Sequence, residues 1–183
     1  MVDRAGLRRG HRYDAAMTGE RTDPPYQADE RAMLVAWLDY HRATLAMKCQ
    51  GLGDAELRER AVPPSSLSLL GLVRHMVEVE RNWFRRVLGG EDAQPVYYSD
   101  DDPDGDFDNV ADADPAADFA TFSDEVRLSR AAISGRDLDE RFVSRRGANL
   151  NLRWVFLHMI EEYARHNGHA DLIRERIDGT TGD

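Results

Sequence analysis

Cysteine occurs once, at Cys49, and lysine once, at Lys48, in a chain of 183 residues. A single cysteine excludes intramolecular disulfides and cysteine-rich zinc modules, and it makes a reducing, cytoplasmic setting the default expectation. No run approaches the roughly 18 apolar residues that a membrane span needs. Basic excess is missing too: 34 acids stand against 24 bases, for a formal charge of −10. A chain this acidic lacks the electrostatic footprint of a general nucleic-acid or anionic-membrane binder. Ser-His-Asp arrangements, phosphate-cradling glycine loops and nucleotide motifs are also missing.

The charge that is present is concentrated. Residues 91–124 hold twelve acids and no Lys or Arg, so the remainder is close to neutral. Within that stretch, Asp100-x-Asp102-x-Asp104-Gly105 matches the opening of a calcium loop, but its twelfth position is Ala111 and Pro103 interrupts it. With Pro95, Pro103 and Gly105 and no sustained period, the stretch reads as a long solvated loop bordering whatever site the helices build.

Apolar periodicity and punctuation predict four long helices. Met33, Leu34, Trp37, Leu38 and Leu45 mark the first, from about Asp29 to Lys48, and Asp54 is expected to cap a short helix behind it. Pro63–Pro64–Ser65–Ser66 is a stop followed by capping residues, and a second helix of about twenty residues runs to Gly89–Gly90. Asp114–Pro115 opens the third, which Gly135 closes. The fourth is expected from near Asn149 to about Arg176. Strand signals are weak, Val96–Tyr98 standing alone. The fold expected is therefore all-α, a four-helix bundle with long connections. Residues 1–24 read as a disordered leader, with Met17 a second candidate start; 25–179 form the bundle and 180–183 a tail.

Ligand-type residues crowd the fourth helix in His158-x-x-x-Glu162-x-x-x-His166-x-x-His169. At 3.6 residues per turn they project within an arc of about 80°. Glu162 and His166, four apart, can reach one ion from adjacent turns, and His75, among apolar neighbours on the second helix, can face them across a bundle. Two histidines and a carboxylate are a common catalytic zinc set with an open fourth position; iron or nickel accept related sets. Singly, each motif reads more simply as a core histidine or a solvated face. Trp37, Trp83 and Trp154 are expected in the core, with the mouth of a pocket as the alternative, His41 in a structural role, and Cys49 as inert packing.

The blocks Gly71-Leu72-Val73-Arg74-His75-Met76-Val77-Glu78-Val79-Glu80-Arg81-Asn82-Trp83-Phe84 and Arg153-Trp154-Val155-Phe156-Leu157-His158-Met159-Ile160-Glu161-Glu162-Tyr163-Ala164-Arg165-His166-Asn167-Gly168-His169 resemble the DinB-like superfamily, in its mini-circle protein branch, over about residues 22–179. The resemblance implies a four-helix bundle, often dimeric, with a divalent metal held by His75, Glu162 and His166. The carboxylate at Glu162, where a histidine is commoner, is similar to mycothiol-dependent maleylpyruvate isomerase, a zinc enzyme; other relatives are bacillithiol or mycothiol S-transferases. That isomerase carries a further C-terminal domain which this chain is not expected to have. The implied function is S-transfer or isomerisation on a small electrophile with a low-molecular-weight thiol as cosubstrate. A metal-dependent hydrolase and a non-enzymatic metal-binding or partner-binding bundle stand as alternatives. His158, four residues before Glu162, could replace His166, and His169 is a reserve ligand or a support behind the ligands. Both are candidate catalytic groups.

Overall fold

A computed structural model describes residues 21–144 and 147–182. The leader and the alternative start at Met17 lie, up to residue 20, outside the described residues. The elements in chain order are α1 (Glu30–Cys49), α2 (Asp54–Arg58), α3 (Leu69–Glu80) with a π-helical extension (Arg81–Leu88), α4 (Gly105–Asp108), α5 (Pro115–Ile133), β1 (Arg141–Val143), β2 (Asn149–Asn151) and α6 (Leu152–Asp178). The long helices α1, α3 with its extension, α5 and α6 form the expected all-α four-helix bundle. α1 packs chiefly on α6 and α3 chiefly on α5, with α3 also against α6.

Each long helix begins where a side chain can satisfy the free N–H groups of a first turn. Asp29 accepts from Ala32 N–H, Ser68 from Gly71 N–H, Asp114 from Ala116 N–H and Asn151 from Trp154 N–H. Arginine forks do the same work at several C-termini. Arg31 reaches the carbonyls of Ile133 and Arg136, Arg174 those of Lys48 and Gln50, and Arg136 that of Leu88. A planar fork with several donors suits neighbouring carbonyls better than an ammonium does.

The core between the helices is filled by Leu38, Leu45, Leu72, Val73, Met76, Val77, Phe84, Phe119, Phe156 and Met159, all nearly inaccessible. A charged group lies among them. Arg42 of α1 makes a two-pronged pair with Glu80 of α3, Nε and Nη2 each 2.7 Å from a carboxylate oxygen, and Tyr163 of α6 donates its hydroxyl to Glu80 at 2.8 Å. Burial alone would lower the guanidinium pKa, but the charge and hydrogen bonds of Glu80 reverse this and raise it.

Several expectations need correction. Ser68, rather than Ser65 or Ser66, caps α3, and Gly53, rather than Asp54, precedes α2, its N–H donating to the Glu56 carboxylate at 2.7 Å. The second helix changes pitch at Arg81 into i→i+5 pairing, seen at its end where Gly89 N–H donates to Phe84 O. Asn149 lies not in a helix but in β2, paired antiparallel to β1 with Phe142 opposite Leu150. Trp37 and Trp154 are not core: each keeps 41% of its surface exposed, and Trp83 is half-buried.

Gly168 sits exposed in the interior of α6, and a Cβ added there would meet nothing within 4 Å. Gly168→Ala is expected to raise stability by up to about 1 kcal/mol through helix propensity. Urea unfolding measures it; a loss would mean that the glycine is kept for close contact.

Candidate metal centre

α3 and α6 face each other where α3 presents His75 and α6 presents Glu162 and His166 from adjacent turns. Ligand atoms of these three residues all lie within 4.8 Å of one another. His166 Nε2 is 3.5 Å from Glu162 Oε2, and the rings of His75 and His166 are 4.7 Å apart. Their side chains retain 23%, 17% and 10% exposure for His75, Glu162 and His166, so the group is sheltered yet reachable by a small molecule.

The electrostatics keep donors available. His166 is pushed down to about 3, chiefly by burial and then by the neighbouring His75, His169 and Arg165, against a smaller opposing effect of Asp106. A neutral imidazole has the lone pair that coordination requires. The Nδ1 nitrogens of His166 and His169 are 3.4 Å apart, so the back of the His166 ring is engaged and its Nε2 faces Glu162. His75 Nδ1 lies 2.8 Å from Asp106 Oδ2, within hydrogen-bond distance, and its ring stacks on Phe107 with centroids 4.6 Å apart.

His158 stands on the other side of Glu162, its Nε2 3.6 Å from Oε1, while His166 faces Oε2. It forms a second group of ligand-type atoms with Glu161 and Glu162, all on α6. Its ring stacks on Trp154 at 4.9 Å and meets the edge of Trp83, on the π-helical extension, at 4.6 Å. Thus His75, Glu162 and His166 are brought together from two helices, His169 backs His166, and His158 flanks Glu162.

Asp106 is the site residue that sequence reasoning missed. It lies in the acidic stretch expected to be a solvated loop, yet it is buried on α4. The one signal was Gly105 and Phe107 beside it, small and apolar residues in an otherwise acidic run. Asp106 is turned to His75 and Asp102 accepts from Asn109 Nδ2 at 2.6 Å, and among the described residues no group of three metal-ligating atoms gathers there.

Residues 33–179 match the family model described as mycothiol S-transferase. The chain belongs to that family. As a mycothiol S-transferase family member it falls within the DinB-like superfamily that its two sequence blocks resemble. A comparison with curated proteins finds no match. Other sequence candidates have simpler places in this family member. Cys49 is buried, and burial pushes its thiol up to about 12, partly offset by Arg174, so it is no thiolate nucleophile. His41 packs beside Trp37 and Tyr40 and near Asn167, with its pKa lowered by burial. Among the described residues no helix is long and apolar enough to cross a membrane.

Proposed function

We propose that the protein is a divalent-metal-dependent S-transferase that joins a low-molecular-weight thiol of the mycothiol type to a small electrophile. What carries the reading is the meeting of two histidines and a carboxylate from facing helices in a chain of the mycothiol S-transferase family. His75, Glu162 and His166 would hold the ion. The mixed nitrogen and oxygen donors suit zinc first and also nickel or iron. Their chemistry fits: His166 is held neutral by burial, His75 has one nitrogen committed to a carboxylate, and Glu162 supplies oxygen donors. A bound ion supplies Lewis acidity that favours the thiolate form of a small thiol.

The remaining residues divide the other roles. His169 holds His166 from behind. His158 Nε2, beside Glu162, is assigned to take the thiol proton as the sulfur–carbon bond forms. In an addition it returns the proton to the substrate, and in a substitution the leaving group departs as its anion and the proton passes to solvent. The two partly exposed tryptophans around His158 offer flat apolar surface for the body of a substrate. The same reading takes the protein as a cytoplasmic homodimer acting on small molecules rather than on nucleic acid or membrane.

Metal content and thiol consumption with a bimane electrophile test the proposal. The unaltered protein is expected to bind about one divalent ion and to consume thiol, and His75→Ala and Glu162→Ala to lose both properties while staying folded. Full metal occupancy in both variants would overturn the site. Thiol-independent ester or amide turnover would replace the reading by a metal-dependent hydrolase, and absence of any turnover by a non-enzymatic bundle.

A further inference from the structure

The acidic segment between α3 and α5 is anchored to α3 by groups placed for that purpose. Glu78 of α3 accepts from the N–H groups of Val96 and Tyr97, both at 2.6 Å. Arg74 donates to the Asn109 carbonyl, and its guanidinium lies 4.3 Å from the centre of the Tyr97 ring. Glycine permits the approach at one point: at Gly105 an added Cβ would meet the Tyr97 carbonyl oxygen at 2.6 Å.

These contacts deliver one carboxylate to one imidazole. Asp106 is 4% exposed, its Oδ1 accepts from Phe107 N–H at 3.0 Å, and its Oδ2 lies 2.8 Å from His75 Nδ1. Burying a carboxylate is costly unless its lone pairs are used, and one that merely closed a connection could be replaced by an apolar side chain. A carboxylate at Nδ1 does something that packing cannot. It fixes the proton on that nitrogen, leaves the lone pair on Nε2, and makes the ring a stronger donor.

We propose that Asp106 is a positioning residue which holds His75 as the Nδ1–H tautomer with Nε2 presented to Glu162 and His166, and thereby tightens metal binding. The inference rests on the metal reading above. It also gives the acidic segment a role, which is to carry the outer partner of a ligand into a site built on other helices. A structural His–Asp pair would contribute to stability only; a positioning residue sets the tautomer and the affinity.

The experiment uses the full chain. In the metal-free protein, nitrogen-15 shifts of the His75 ring are expected to report a protonated Nδ1 and an unprotonated Nε2. Asp106→Ala, and Asp106→Asn as the isosteric variant, are expected to give mixed tautomers. Zinc affinity, measured by competition with a chromophoric chelator, is expected to fall about 10- to 100-fold in Asp106→Ala. Asp106→Glu should recover part of that loss. An Nε2–H tautomer in the unaltered protein, or unchanged zinc affinity in both folded variants, would overturn the positioning role alone. No zinc binding by the unaltered protein would overturn the metal reading, and this inference with it.

Discussion

Glu80→Ala is expected to cost about 3–5 kcal/mol of folding stability, the range for stranding one partner of a buried ion pair. The Glu80 side chain is fully inaccessible and that of Arg42 is 5% exposed. Removing the carboxylate leaves the Arg42 guanidinium to the more exposed Asp39, 2.9 Å from Nη1, and takes the acceptor from the Tyr163 hydroxyl. Three helices lose a shared tie at once, because Arg42, Glu80 and Tyr163 come from α1, α3 and α6. Tyr163→Phe removes one hydrogen bond and keeps the ion pair, so about 1 kcal/mol is expected. Urea unfolding of the two variants separates the effects. A loss for Glu80→Ala below about 1 kcal/mol, the range of an exposed pair, would show that solvent reaches Arg42.

Gly105→Ala is expected to cost about 1–3 kcal/mol, as overpacking of a tight site does. The new Cβ would lie 2.6 Å from the Tyr97 carbonyl oxygen, 2.8 Å from Asp102 Oδ2 and 2.9 Å from Asn109 Nδ2. The nearest of these is backbone, and Tyr97 is held by Glu78, so the strain passes to α4 instead of being absorbed by a side chain. Asp106 is the next residue, so its hold on His75 should loosen along with the fold. The expected signature is a lowered urea midpoint together with a disturbed His75 tautomer. Unchanged stability would mean that the approach of α4 to the 96–97 segment has slack. Gly168→Ala is the informative contrast, since the same substitution meets open space there.

The charge distribution takes on a different meaning once the chain is folded. Twelve acids without a base look like one solvated feature. In the structure they separate by environment: Asp106 and Asp118 are buried, while Asp100, Asp101 and Asp104 are exposed. Asp118 shows the cost of that burial. Its pKa is raised chiefly by desolvation, with Tyr97 and Arg74 pulling the other way. Residue type alone could not distinguish these acids, because their environments are made by α3 and α5.

Helices were legible because their signals are local. The spacing of Leu34, Leu38 and Leu45 and the cap at Asp114 before Pro115 act within a few residues of where they are read. Glu162 and His166 were legible as a pair for the same reason: four residues apart on one helix are neighbours in any fold that keeps the helix. The β1–β2 hairpin was missed because three-residue strands carry too little alternation to register. The Trp37 and Trp154 placements were missed because an apolar stripe shows which side is greasy, not how far the neighbouring helix covers it.

Sequence periodicity thus suffices for an all-α bundle and for a line of ligand-type residues along its last helix. Which of those residues meet across the bundle depends on the pairing of α3 with α6, which brings His75 to Glu162 and His166 and leaves His158 with two tryptophans. The His75–Asp106 contact joins positions 31 residues apart, and the Glu80–Tyr163 contact joins positions 83 apart. Neither separation has a periodicity to read. Helical pattern is a property of a few consecutive turns, whereas these contacts arise from the packing of whole helices and of the connection that Gly105 lets against them.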